Sequence, residues 1–155
     1  MDQNKKFNSS IELYKQELLE SCTGGKGIPE IIKEVPNIFE TITKLIKDVD
    51  ITNEERMLSY AAIGYFFVPD DLYPEEILGQ IGYIDDVLLS LTVFQEIRST
   101  MIGAEALERN WCLNFGVEEV LDTIYPSLIK KYPKEYIAVL DHIGILPDDI
   151  DLVIE

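Results

Sequence analysis

Apolar residues along this chain recur every three or four positions, the spacing that lines one face of an α-helix. Ile11, Tyr14, Leu18 and Cys22 form the first such stripe. Ser9 or Ser10 is placed to cap it, and TGGKG from Thr23 to Gly27 to end it. A second helix is expected after Pro36, with Phe39, Ile42, Leu45, Ile46 and Val49 on one face. Asn53 is placed to cap a third, and Glu54 and Glu55 fall in its first turn, where the helix dipole favours negative charge. From Met57 to Val68 that helix is apolar almost all round, which predicts a central, buried element. A fourth helix, from about Ile84 to Met101, carries Ile84, Val87, Leu88, Leu91, Phe94, Ile97 and Met101 as its stripe.

The last third is less regular. A short helix is expected from Ala104 to Trp111, and another after Gly116 with Val117, Val120, Leu121, Ile124 and Leu128 inward. Pro126 predicts a kink or restart there. Pro133 suits the first position of a final helix carrying Tyr136, Ile137, Leu140 and Ile143, with Gly144 as its C-cap. No run keeps the strand period for long. The pattern therefore predicts an all-α fold, a single compact bundle over residues 1–155. Its centre is an apolar helical hairpin at about 57–101, followed by C-terminal helices over 104–155. Whether that last third packs on the hairpin is left open.

Charge narrows the class of partners. There are 29 acidic residues against 13 basic, a net charge of −16. A field of that sign repels phosphate backbones and anionic membrane surfaces, so neither nucleic acid nor a membrane is expected to bind directly. It favours a basic protein or divalent cations, although charge alone also serves solubility. Cys22 and Cys112 lie far apart and make no disulfide framework. The opening MDQNKKFNSS has no apolar core of a secretory signal. The longest nearly unbroken apolar run, Met57 to Val68, falls short of the roughly 20 residues a spanning helix needs. A soluble protein of a reducing cytoplasm is expected.

One histidine and two cysteines cannot build a four-ligand zinc site of soft donors. His142 is expected to be structural or exposed, since no G-x-S-x-G elbow accompanies it. TGGKG lacks the spacing of a phosphate loop. What remains is the stretch VPDDLYPEEILGQIGYIDD from Val68 to Asp86, where carboxylates come as three adjacent pairs. Asp70, Asp71, Asp85 and Asp86 offer the hard oxygen donors that Mg²⁺, Mn²⁺ or Ca²⁺ prefer. Helix capping competes with that reading. Asp71 and Asp85 stand where a side chain caps a following helix, and Glu75 and Glu76 follow Pro74 in an expected first turn. Of the aromatic residues nearby, Phe66 and Phe67 read as core, and Tyr73 as the exposed contact.

The run from Ser59 to Phe94 resembles the DUF1232, or YkvA-like, family. The hallmark is an apolar helix, then Pro-x-Asp-x-x-Pro, then Gly-Tyr-x-Asp-Asp opening a second apolar helix. Pro69, Asp71 and Pro74 match the first element, and Gly82, Tyr83, Asp85 and Asp86 the second. The turn between them is slightly longer than the commonest family form, and Glu75 stands where that form often has Asp. The resemblance implies a helical hairpin with an ordered polar turn built on those seven residues. It carries no activity with it.

Strong acidity, small size and absent catalytic motifs point to a non-enzymatic module that covers a basic surface on another protein, in the manner of an inhibitor, immunity protein or antitoxin. Asp70, Tyr73, Glu75 and Glu76 at the hairpin turn, and Asp148 and Asp149 in the tail, are the expected contacts. No cofactor is needed for that role. The alternative is a divalent-metal-binding protein, or a metal-dependent hydrolase, using Asp70, Asp71, Asp85 and Asp86.

Overall fold

The structure, a computed structural model, describes residues 30–66 and 83–144. The fold is all-α, as the apolar spacing predicts, and no strand occurs among the described residues. A 3₁₀ turn, Glu30–Glu34, runs directly into α1, Val35–Lys47. The helix thus begins before Pro36, which sits in its first turn, where its missing N–H costs nothing. Phe39, Ile42, Leu45 and Ile46 point inward as expected. Val49 does not: α1 ends at Lys47, and Val49 is 88% exposed on the turn that follows.

α2 spans Asn53–Phe66. Its start is fixed by Thr52 rather than Asn53. The Glu55 amide donates to Thr52 Oγ1 at 3.0 Å, and the Thr52 amide donates to Glu55 Oε1 at 2.8 Å, a reciprocal capping box. This helix is one-sided, which corrects the expectation of a fully buried element. Ser59, Ala62, Ile63, Tyr65 and Phe66 face the core, while Met57, Tyr60 and Gly64 face solvent.

The central helix is α3, Ile84–Arg98. All twelve residues from Tyr83 to Phe94 are buried, polar ones included. Ser90 and Thr92 survive there because each hydroxyl donates to a carbonyl four residues back, Asp86 at 2.8 Å and Leu88 at 2.7 Å. α1, α2 and the described helices of the C-terminal third all pack on α3, so those later helices do close over the hairpin.

α3 stops at Arg98, and Met101, expected to extend its stripe, is 80% exposed at the start of α4, Met101–Asn110. Thr100 caps α4 by accepting from the Gly103 amide at 3.0 Å. The corner is so tight that a Cβ at Gly103 would collide with the Ile97 carbonyl oxygen. The far end of α4 is fastened to the α1–α2 turn by Asp48. Arg109 donates to its two carboxylate oxygens at 2.8 Å each, and Asn110 donates to it at 2.7 Å. Asp50 accepts from the same guanidinium at 2.7 Å. Arg56, from α2, donates to the carbonyls of Ile46 and Asp48 at the end of α1, at 3.0 and 2.8 Å.

A loop follows in which Glu34 accepts from the Asn114 amide at 2.6 Å and from its side chain at 2.9 Å. α5 is composite: Val117–Glu119, a π-helical turn at Val120–Ile124, then Tyr125–Lys131. The restart expected at Pro126 is realised by that π turn. Pro126 cannot donate to the carbonyl four residues back, and the Tyr125 amide reaches the Val120 carbonyl instead. α6, Pro133–His142, opens on Pro133 as predicted. It buries Tyr136, Val139 and Leu140, whereas Ile137, expected inward, is exposed. Gly144 follows with φ of +75°, the left-handed conformation that lets the chain leave a helix end.

Candidate functional site

Three helix ends meet at the base of the hairpin. Tyr65 is the next-to-last residue of α2, Asp85 the second of α3, and His142 the last of α6. The Tyr65 hydroxyl donates to Asp85 Oδ2 at 3.0 Å. The Tyr65 ring meets the His142 imidazole edge-on, with centroids 4.7 Å apart and an interplanar angle of 71°. Asp85 Oδ1 accepts from the Asp86 amide at 3.0 Å. Asp85 therefore serves a first-turn N–H of α3 from inside the helix; the cap position itself is Tyr83, whose side chain makes no capping bond. Asp85 and Asp86 are 0% and 1% exposed. Carboxylates so deeply placed are costly unless hydrogen-bonded, and the N-terminal end of a helix is where their charge is best tolerated.

Of the residues singled out in the sequence, Tyr83, Asp85 and Asp86 lie together at this base. Pro69, Asp70, Asp71, Tyr73, Pro74, Glu75, Glu76, Gly82, Asp148 and Asp149 lie outside the described residues, as does Phe67. Among the described residues no three His, Cys, Asp or Glu side chains gather to hold a metal ion. His142 is exposed, and Phe66 is core, packed edge-on against Phe39 with centroids 5.2 Å apart.

The described helices end here next to two acidic stretches of the sequence. Residues 67–82 follow Phe66 and precede Tyr83, and residues 145–155 follow Gly144. Each carries four carboxylate side chains and neither carries a lysine or arginine. Because Tyr65 touches both Asp85 and His142, both segments are rooted within a few residues of one tyrosine. Periodicity gave no sign of this. It needs the antiparallel return of α6 along α3, a contact between residues far apart in sequence.

Further in, Thr92 Oγ1 lies 2.7 Å from the Tyr125 hydroxyl, which lies 3.4 Å from that of Tyr136. Burial pushes both phenols above their ordinary range. This chain of hydroxyls is enclosed and ties α3, α5 and α6 together.

These features define an all-α protein whose two-helix unit, α2 and α3, meets α6 at a buried base, with an acidic sequence between the two helices. Residues 55–91, which take in most of α2 and the opening turns of α3, match the family model described as a protein of unknown function, DUF1232. That is the family whose hallmark the sequence shows from Ser59 to Phe94. Along most of its length the chain is similar to "Uncharacterized protein ORF9" of Methanothermobacter thermautotrophicus, 26% identical over 139 residues, covering 90% of this chain and 88% of that one. No solved structure matches. No described helix is long and apolar enough to cross a membrane.

Proposed function

We propose that this protein is a non-enzymatic, acidic binding module that covers a basic surface on another cytoplasmic protein, as an inhibitor, immunity protein or antitoxin does. The observation that carries the reading is the common root of the two acidic segments. Acidic stretches that begin at the same end of a bundle bring their charge to that end, and a concentrated negative field speeds encounter with a basic partner and disfavours acidic ones. Asp70, Glu75 and Glu76 on one segment and Asp148 and Asp149 on the other supply the charge, and Tyr73 supplies an apolar ring with a water-tolerant hydroxyl.

A tagged pull-down from the native host at low and high salt tests this. One basic protein retained at low salt, weakened at high salt, and lost with Glu75→Gln, Glu76→Gln, Asp148→Asn and Asp149→Asn together is the expected result. Retention of the same protein by that fourfold variant would refute it.

A second reading is favoured by the burial of Asp85 and Asp86 side by side. Two enclosed carboxylates next to the segment bearing Asp70 and Asp71 suit a divalent cation such as Mg²⁺, Mn²⁺ or Ca²⁺. Its sign is a rise in melting temperature at micromolar metal, abolished by EDTA.

A further inference from the structure

A separate surface lies at the opposite end of the bundle. α3 is 15 residues long, so its last residue stands about 22 Å from the hairpin base at 1.5 Å per residue. α4 begins just beyond that point and ends against the α1–α2 turn, so it lies across the far end. Gly103, Ala106 and Leu107 turn inward. The outward face carries Met101, Ile102, Glu105 and Glu108, all exposed. Met101, Ala104, Glu105, Glu108 and Arg109 line a shallow, open surface hollow of about 490 Å³. Val49, at the edge of the adjoining hollow that Arg109 also lines, adds a third exposed apolar side chain.

The charges on this face differ in availability. Arg109 is engaged by Asp48 and Asp50. Glu105 and Glu108 form no ion pair among the described residues. They stand three positions apart on one helix face, about 5–6 Å between Cβ atoms. An apolar hollow flanked by two available carboxylates at that spacing is complementary to a helix with one apolar stripe and a basic edge. We propose that the outer face of α4 docks a basic amphipathic helix of a partner protein. An apolar side chain enters the hollow beside Met101 and Ala104, and lysine or arginine side chains one turn apart meet Glu105 and Glu108.

The test uses the full chain and a fluorescein-labelled leucine–lysine amphipathic peptide of about 18 residues, the length of a typical groove-bound helix. Binding is read by anisotropy at low salt, and the site by amide chemical shifts. The expected result is shifts centred on 101–109, with Glu105→Gln plus Glu108→Gln weakening binding about tenfold, the worth of two exposed charge pairs. Glu118→Gln plus Glu119→Gln, an exposed acidic pair on α5, is expected to change binding less than twofold. Unchanged melting temperatures for these surface variants keep the comparison valid. Equal losses from both pairs would mean attraction by net charge alone and would overturn the proposal. So would shifts centred on residues 67–82 or 145–155, although that outcome would leave the acidic-end reading standing. No binding at low salt would also overturn the proposal and leave the acidic-end reading to its own pull-down. A concentration-dependent dimer whose interface shifts fall on Met101 and Ile102 would assign the face to a second copy instead.

Discussion

Replacing Asp48 with asparagine would test how α4 is held across the end of the bundle. The two Asp48 oxygens accept four hydrogen bonds: two from Arg109, one from Asn110 and one from the Asp50 amide. Asparagine keeps one acceptor, turns the other into a donor facing donors, and removes the charge. Hydrogen bonds to a buried charged group contribute about 1.5–3 kcal/mol each, whereas exposed ion pairs contribute about 0.2–1 kcal/mol. The Asp48 side chain is only 7% exposed, but Arg109 is 44% exposed, so solvent screens much of the pair. Summed over the four bonds, the net loss after screening is about 2 kcal/mol, or a fall of about 4–8 °C in Tm for a chain of this size. The guanidinium of Arg109 holds the Asp48 carboxyl well below the usual carboxylate range, against the opposing effect of burial. A lowered pKa in the folded state means that the unfolded chain binds this proton first. The stabilisation is therefore complete above the unfolded value of about 3.9 and is lost as pH falls below it toward the folded value. Thermal melts of Asp48→Asn and the parent at pH 7, 4 and 3 should show a gap that is full at pH 7 and narrows at pH 3. A gap under about 1 °C at pH 7, or one unchanged at pH 3, would refute the assignment.

Gly103→Ala should cost about 1–3 kcal/mol, since the atom it meets is the Ile97 backbone oxygen, which cannot rotate away; a wild-type urea midpoint would show that the corner relaxes freely. Asp85→Ala removes the acceptor of the Tyr65 hydroxyl and should cost about 1–3 kcal/mol, lowering Tm in EDTA as well as in metal. If only a metal response disappears, the structural role is wrong. Tyr125→Phe should flatten the alkaline limb of stability. A phenol raised by burial stabilises the fold below its unfolded pKa of about 10, and that contribution is lost as pH rises beyond it. Chemical denaturation at pH 9 and pH 11 reads the difference between the two proteins.

Most helices were legible because their buried positions repeat at 3.6 residues and their ends carry local signals. Pro133 and Gly144 bracket α6 for reasons confined to a few bonds. The errors came where burial is decided by neighbours. α2 carries a long apolar run from Met57, yet one face meets water, because helices pack on it from one side. α3 hides two aspartates, a serine and a threonine, because helices surround it and its hydroxyls bond to their own backbone. Asp85 and Asp86 were legible as a pair that belongs to the turn, but not as enclosed groups. The Asp48–Arg109 clamp joins residues 61 positions apart, and the meeting of Tyr65 with His142 spans a similar gap. No local pattern encodes either.

The all-round burial of α3 also constrains how the chain is made. A ribosome releases residues 30–66 before α3 exists, so the sides of the 3₁₀ turn, α1 and α2 that pack on α3 stay uncovered at that moment. Once α3 emerges it covers α1 and α2, yet its other side stays open until α4, α5 and α6 have followed. The nascent protein therefore passes through two stages with a greasy face uncovered, each a point where a holding chaperone gains a grip. Its solubility during synthesis rests on how quickly α4, α5 and α6 follow α3.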